Sequence, residues 1–292
     1  MKPNRRLFWW GAGFLMPSMI IFALFVYYPF TSSLYYSLTD WNGITKPNFV
    51  GISNYKDFFE DGMVMHGLMN TFYITLFVMI ISNPISLILA LLLNRPLKSR
   101  GFLRSAFYLP SIISLVVISI VWGNILQYEG VMNTLLHRFG LDTWIQDWLG
   151  SSKSAMLSIV AISVWQFTGY GAVIYLAGLQ SIPVDIYEAS KIDGASGWSL
   201  FSRITFPLLM PSVTICTFLG LVGGLKFFDL PFILTNGGPG DSTTTLSMVI
   251  FKIAFSFSKY GYATAAGVLF MCLIIIVTTI QLRITRKREV EY

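Results

Sequence analysis

The sequence predicts an all-helical integral membrane protein with six spanning helices, and its composition and its apolar segments carry that prediction. Hydrophobic residues make up 54% of the 292 residues, charged residues only 12%, and the mean hydropathy is +0.65. An ordinary soluble domain has about 25% charged residues. Six apolar stretches are also long enough to cross a membrane, since a hydrocarbon core of about 30 Å takes about 20 helical residues.

The six predicted spans are separated by short polar connections. They cover residues 11–34, 71–93, 105–126, 155–179, 208–232 and 263–282. The first follows Lys2, Arg5 and Arg6, as a signal peptide would. Its apolar run is too long for one and no small-residue cleavage site follows, so we expect it to remain as a helix.

The positive residues predict the orientation of the chain. Lys and Arg favour cytoplasmic flanks of membrane helices. Most of them fall in four places: the N-terminus, the second connection (Arg95, Lys98, Arg100, Arg104), the fourth (Lys191, Arg203) and the C-terminus (Arg283, Arg286, Lys287, Arg288). Both termini are therefore predicted to be cytoplasmic. The formal charge of +6 does not indicate nucleic-acid binding, because no basic stripe alternates with aromatic residues.

Several residues inside the segments have structural interpretations. Cys216 and Cys272 lie in separate apolar segments without metal-ligand spacing, so they are expected to pack rather than form a disulfide or hold a metal. Pro84 and Pro110 remove backbone donors and predict kinks. A small-residue face on the fifth segment, formed by Gly220 and Gly224, predicts close approach of another helix.

Polar side chains in the fourth and fifth segments are candidates for a solute pathway. Lys226 and Asp229 are three residues apart and would share a helix face, either as an internal ion pair or as contacts for a hydroxyl-rich solute. Trp165, Gln166 and Tyr170 could bind the same solute, since sugars offer apolar C–H faces to aromatic rings and hydroxyls to amides.

The outer connections are predicted to be structured. Residues 246–257 carry apolar side chains at helical spacing, which indicates an interfacial or re-entrant helix. Trp41, Trp144 and Trp148 lie near segment ends, where aromatic rings favour the headgroup level.

The cytoplasmic stretch YEASKIDG, residues 187–194, is predicted to be most of a short helix. Ser181 would cap it, Pro183 suits its first turn and Gly194 would end it in the left-handed conformation. Ile182, Ile186 and Ala189 would line one face. A helix this short needs a surface to lie on, and a second helix is predicted from about Ser199 to Pro207.

This stretch resembles the EAA loop of ABC-importer permease subunits, in which Glu-Ala-Ala is followed at fixed spacing by Gly, Ile and Leu-Pro. The matching positions are Glu188, Ala189, Ser190, Gly194, Ile204, Phe206 and Pro207. Ser190 replaces the second Ala and Phe206 replaces the Leu. The stretches PSMIIFALFVYYPF, FVGISNYKDFF, NTFYIT, FYLPSI, LQSIPVDIYEASKIDGAS and FDLPFILTNGGPGDSTTTL extend the likeness, and they resemble the carbohydrate-uptake branch of the maltose and glycerol-phosphate type.

The resemblance implies one permease domain over residues 1–292, with a coupling loop at about 181–207 seated in an ATPase subunit. Coupling roles would fall to Glu188, Ala189, Ser190, Gly194, Ile204 and Pro207. The implied sugar path includes Ser111, Trp165, Gln166, Tyr170, Lys226, Phe227 and Asp229. The implied assembly, in a bacterial cytoplasmic membrane, has a second and unlike permease chain, two ATP-binding subunits that hold ATP and Mg, and an external sugar-binding protein.

Two other functions compete with this one. The letters Gly194-Ala195-Ser196-Gly197 spell a rhomboid-protease motif, but His66 and His137 both precede it in outer connections, so a catalytic pair is not expected. An ion-coupled secondary transporter remains an alternative. The chain has no phosphate-binding loop of the GxxxxGK[ST] type, so we expect it not to be an enzyme and any ATP hydrolysis to belong to partner subunits.

Overall fold

The computed structural model describes residues 5–96 and 98–290 and is helical, with one isolated antiparallel bridge between Thr39 and Phe49. Lys2, part of the predicted cytoplasmic charge, lies outside the described residues. The chain divides into two compact units. The first contains the described residues up to Gly62 and Ile250–Cys272, and the second contains Met63–Val249 and the described residues from Leu273 onward.

The first four helices lie between Arg5 and Leu93. They are α1 (Arg5–Phe22), which continues through a π-helical turn (Ala23–Tyr27) into α2 (Tyr28–Tyr36), then α3 (Ser53–Glu60) and α4 (Gly62–Leu93). The central helices are α5 (Arg100–Ile112), α6 (Leu115–Leu126), α7 (Val131–Arg138) and α8 (Ser152–Ser181), with a 3₁₀ turn at Asp142–Trp144.

Seven helices follow α8 in the described part of the chain. They are α9 (Val184–Ile192), α10 (Gly197–Leu200), α11 (Phe206–Leu208), α12 (Met210–Leu225), α13 (Asp229–Thr235), α14 (Leu246–Phe251) and α15 (Tyr260–Arg286). π-helical turns at Phe201–Thr205 and Lys252–Ser256 follow α10 and α14.

Five described helices are long and apolar enough to span a membrane, and a sixth span forms if one bent pair counts as one. The five are Gly13–Tyr36 (α1 continuing into α2), Gly62–Leu93 (α4), Leu115–Arg138 (α6 and α7 taken together), Ser152–Ser181 (α8) and Tyr260–Arg286 (α15). The bent pair joins Gly197–Leu208 to Met210–Leu225 at 64°. Pro211 stands in the first turn of α12, where a helix tolerates a proline. The chain is a multi-pass membrane protein by these lengths and compositions.

The third predicted span, 105–126, is wrong as a continuous helix. α5 ends at Ile112, and both Ile113 and Ser114 are extended, with ψ of 136° and 137°. Pro110 has no N–H for the helical ladder, and the Ser111 hydroxyl bonds back to the Tyr108 carbonyl at 2.7 Å. By contrast, α4 passes through Pro84 without interruption.

The fifth predicted span, 208–232, is also wrong as a continuous helix. α12 ends at Leu225 and α13 begins at Asp229, with Phe228 outside the helical region at φ −134°. Lys226 and Asp229 therefore do not share a helix face. Among the described residues no ion pair within 4 Å joins them, so the predicted internal pair is not formed.

The second unit packs around α8, the most enclosed of the spans. Half of the residues in its most apolar 18-residue stretch are buried. Ile159 and Ile162 of α8 pack in one cluster with Ile74, Ile118 and Leu230, which come from α4, α6 and α13. Small residues allow the close approach of α5, since Gly169 lies directly against the Phe107 carbonyl oxygen. Trp148 is part of this packing and donates its indole N–H to Asn133 Oδ1 at 2.8 Å.

In the first unit, the residues after α2 form an ordered loop. Trp41 stacks on Tyr36 with ring centroids 4.2 Å apart. Asn54 donates its amide to the Ser37 and Thr39 carbonyls at 2.9 and 2.8 Å. The side chain and backbone amide of Asn48 both bind Asp40, and these hydrogen bonds hold the pKa of Asp40 below its usual value.

Candidate functional site

A cavity of about 280 Å³ lies among four helices of the second unit, α4, α5, α8 and α12, and Phe227 beyond α12 also lines it. Its polar wall is made of hydroxyl and amide side chains. They are Thr75, Ser82, Asn83, Ser86, Ser111, Ser163, Gln166 and Tyr170. Such groups donate and accept hydrogen bonds without a formal charge, so the wall is suited to a hydroxyl-bearing molecule.

Gln166 is the buried polar group at the centre of this arrangement, with 4% of its surface exposed. Its amide nitrogen reaches the Ile113 carbonyl at 3.4 Å, the carbonyl that the break after α5 releases from the helical ladder. Its amide oxygen has no hydrogen-bond partner. Because a buried acceptor without a partner costs about 1–3 kcal/mol, this oxygen is suited to receive a donor from a bound molecule.

The structure brings four of the seven predicted path residues to this cavity. Ser111, Gln166, Tyr170 and Phe227 line it. Trp165 instead lines a separate apolar cleft of about 810 Å³ bounded by α4, α5 and α8, and its ring meets Trp122 edge-on at 5.6 Å.

The two charged path residues, Lys226 and Asp229, are exposed and line neither the cavity nor the apolar cleft. They flank the break between α12 and α13. These two residues therefore lie where one helix ends and the next begins, and not in the cavity wall.

Sequence reasoning missed the contribution of α4 to the cavity. Ser82, Asn83 and Ser86 line it, and Asn83 Oδ1 accepts a hydrogen bond from the Tyr175 hydroxyl at 3.1 Å. The signal is present in the sequence as three polar residues within about one turn of an apolar segment, beside the proline that predicts only a kink.

The two glycines of the predicted small-residue face have different neighbours. A Cβ on Gly224 would lie 2.6 Å from Thr75 Cγ2, so Gly224 does allow α4 to approach. A Cβ on Gly220 would meet no atom within 4 Å, and Gly220 lines the cavity with Cys216 and Gly223. The buried Cys216, predicted only to pack, is thus also part of the wall.

The segment after α8 forms the second candidate site. The predicted cap at Ser181 is wrong: Ser181 is the last residue of α8 and its hydroxyl bonds back to the Gly178 carbonyl at 2.8 Å. α9 begins at Val184 with Pro183 as its N-cap residue. The predicted stop at Gly194 is confirmed, with φ of +81° in the left-handed region.

One face of α9 packs on the helices that precede and follow it. Ser190 is buried and its hydroxyl bonds to the Ile186 carbonyl at 2.6 Å, while Tyr187 packs on a core cluster that includes Ile182 and Leu209. Of the three residues predicted to line one face, Ile182 is buried and Ile186 is half-buried, whereas Ala189 is exposed. Ala189 comes one residue before the buried Ser190 and therefore points about 100° away from it around the helix.

The opposite face of α9 is exposed and partly apolar. It carries Glu188 and Ala189 between Val184, 67% exposed, and Ile192, 87% exposed. Trp198 at the start of α10 is 77% exposed. Clustered exposed apolar side chains mark a protein interaction surface when polar residues surround them.

Ile204 and Pro207, the last predicted coupling residues, lie in the π-helical turn after α10 and in α11. Both are half-buried. They lie between α9 and α12 in the chain and are not part of the exposed face of α9.

The described residues contain no group of three or more His, Cys, Asp or Glu side chains that could hold a metal ion. An exposed pair, His137 and Asp142, has its Nδ1 and Oδ1 atoms 2.6 Å apart.

A family model described as the inner membrane component of binding-protein-dependent transport systems matches residues 82–290. The chain belongs to this family. It is 35% identical over 282 residues to the probable starch degradation products transport system permease protein AmyD of Thermoanaerobacterium thermosulfurigenes, with 97% of this chain and 96% of AmyD covered. It is 33% identical to the multiple sugar-binding transport system permease protein MsmF of Streptococcus mutans, with 97% of each chain covered.

Solved structures share the fold. A bacterial ABC transporter involved in the import of the acidic polysaccharide alginate contains a chain that superposes with a TM-score of 0.83, at 24% identity and 96% coverage of both chains. The all-helical permease fold expected from the sequence is therefore confirmed for this member of the family.

Proposed function

We propose that this chain is a permease subunit of an ATP-binding-cassette importer that carries a sugar or oligosaccharide across the bacterial cytoplasmic membrane. The observation that carries the proposal is the group of hydroxyl and amide side chains around Gln166 in an otherwise largely apolar cavity, in a chain whose relatives AmyD and MsmF are named for starch products and multiple sugars. Sugars offer many hydroxyls, and such a wall can replace the water bonds that a sugar loses on entering.

The proposed assembly needs other proteins, because this chain is proposed to have no catalytic role. A second, unlike permease chain would complete the path, two cytoplasmic subunits would bind and hydrolyse ATP with Mg, and an external protein would deliver the sugar. In the proposed topology both termini are cytoplasmic, and residues 1–292 act as one permease domain with the coupling loop at about 181–207.

The proposed coupling surface is the exposed face of α9. Glu188 can bind a basic group of the ATPase subunit, and Val184 and Ile192 can enter an apolar cleft beside it. The inner face, through Ser190 and Tyr187, would pass the movement of the ATPase to α8 and α12. Alternating access then follows if ATP binding favours one packing of these helices over another.

The coupling role is tested by Glu188→Lys in the purified complex with its ATPase subunits and external protein. We expect membrane insertion to persist while stimulated ATPase activity and uptake fall together. Glu129→Lys is the control, since Glu129 is exposed, has the same charge change and lies in a connection predicted to be external. Unchanged ATPase activity and uptake in Glu188→Lys would contradict the coupling role.

The path is tested by Gln166→Ala in the same complex. We expect uptake to fall more than complex assembly, whereas Lys226→Ala, outside the cavity wall, should leave uptake near the wild-type level. Equal losses of assembly and uptake in Gln166→Ala would mean that Gln166 is only structural. Uptake that persists when the partner ATPase cannot hydrolyse ATP would favour the ion-coupled alternative.

A further inference from the structure

The cavity wall carries no formal charge. Among the described residues that line it, none is Asp, Glu, Lys, Arg or His. The charged residue adjacent to it in the chain, Lys226, is next to the lining residue Phe227 but is exposed and does not line the cavity. The family leaves the charge of the solute open, since one structural relative belongs to an importer of an acidic polysaccharide.

We propose that the solute bound in this cavity is an uncharged sugar and that the wall selects against sugar acids. The proposal rests on the proposed function and specifies the substrate class of the same site. Moving a carboxylate from water into a cavity without a cation or several N–H donors is costly, and the cost is greater within a membrane protein than at a surface. A neutral hydroxyl incurs a much smaller cost, and the hydroxyl and amide groups of the wall can offset it.

The unpaired oxygen of Gln166 strengthens the preference. It is a hydrogen-bond acceptor. The amide nitrogen is assigned to the end of the side chain that contacts the Ile113 carbonyl, because a carbonyl oxygen needs a donor, and the amide oxygen is therefore at the other end. A sugar hydroxyl donates to an oxygen, but a carboxylate cannot. A carboxylate next to this oxygen would therefore add repulsion to its desolvation cost.

The inference is tested with Cys216 as a reporter, because its side chain lines the cavity. The other cysteine of the chain, Cys272, is exposed and is replaced by Ser, and any cysteine of the partner subunits is blocked or replaced. The complete complex in detergent is treated with a small methanethiosulfonate reagent. The probes are neutral sugars and their matched acids: glucose and glucuronate, galactose and galacturonate, mannose and mannuronate, each as the monomer and as the disaccharide.

We expect at least one neutral sugar to protect Cys216 at a concentration at least tenfold lower than its matched acid. Equal or better protection by an acid overturns the proposal, and so does an absence of protection by every sugar. The outcome is separable from the proposed function. ATP-dependent uptake of any sugar supports the function even when the protection result fails, and an absence of uptake for every sugar contradicts the function itself.

A charge placed in the cavity gives a second test. Gly220 lines the cavity and an added Cβ there would meet no atom within 4 Å, so this position is chosen for Gly220→Lys. The preference is measured as the ratio of the protecting concentrations of a neutral sugar and its matched acid. We expect this ratio to shift at least tenfold toward the acids in Gly220→Lys relative to Gly220→Met, which fills similar space without charge. The same preference in both variants would show that wall charge does not set selectivity.

Discussion

The contact between α5 and α8 gives a sharp prediction about stability. Gly169 of α8 lies against the backbone of α5, and a Cβ there would overlap the Phe107 carbonyl oxygen and lie 2.8 Å from its carbon and 3.1 Å from Tyr108 Cα. Ordinary van der Waals contact begins near 3.4 Å. Backbone atoms cannot rotate aside, so Gly169→Ala must push the two helices apart by roughly an ångström.

Overpacking of this kind costs about 1–3 kcal/mol. For a chain of this size the cost corresponds to a fall in apparent Tm of roughly 2–10 °C. A smaller effect is expected for Gly171→Ala, because its new Cβ would meet the Ser86 side chain, which can move once its 2.8 Å hydrogen bond to the Thr168 carbonyl breaks. No destabilisation is expected for Gly267→Ala, which meets no atom within 4 Å.

The assay is the temperature at which the detergent-purified complex loses its monodisperse gel-filtration peak. The predicted order of Tm is Gly169→Ala lowest, then Gly171→Ala, with Gly267→Ala at or above the wild type. If Gly169→Ala and Gly267→Ala lose the peak at the same temperature, the backbone contact between α5 and α8 does not limit stability.

Three further predictions concern hydrogen bonds. Thr71→Val should lower the free energy of unfolding by about 1–3 kcal/mol in thermal unfolding, because it leaves the buried Leu246 N–H without its 2.8 Å acceptor. Thr71→Ser keeps the hydroxyl and should not have this effect. Trp148→Phe should cost about 1 kcal/mol or more by the same assay, since Asn133 Oδ1 loses its 2.8 Å donor; a Tm equal to the wild type would contradict this. The lowered pKa of Asp40 stabilises the first unit at neutral pH, and this contribution should be lost as pH falls below about 3.8, its ordinary value; unfolding scans of Asp40→Asn should lack that loss.

The sequence was sufficient to locate the apolar segments and the short helix that Gly194 ends, because length, hydropathy and a left-handed glycine are local properties. It was not sufficient to locate the helix breaks. Pro84 leaves α4 continuous, whereas the break near Pro110 comes later, at Ile113 and Ser114. Packing partners distant in the sequence decide which proline interrupts a helix.

The face of α9 and the wall of the cavity depend on such partners as well. Ala189 and Ser190 are neighbours of similar size, and only Ser190 lies on the side of α9 from which Tyr187 packs on the core. Likewise, Trp165 and Gln166 are adjacent in α8, so they point about 100° apart and line different spaces.

The two helix breaks explain why polar side chains contact these apolar segments. Non-helical backbone at membrane depth is tolerated where protein groups or a cavity satisfy its carbonyls. Gln166 supplies an N–H to the Ile113 carbonyl, and the Thr245 hydroxyl donates to the Phe227 carbonyl at 2.8 Å. Gln166 therefore has two separate ends: its nitrogen supports the break in the third segment, and its oxygen remains available to a solute. A substitution that keeps the nitrogen contact but removes the acceptor would separate the two roles, whereas Gln166→Ala removes both, so its effect on assembly must be measured beside its effect on transport.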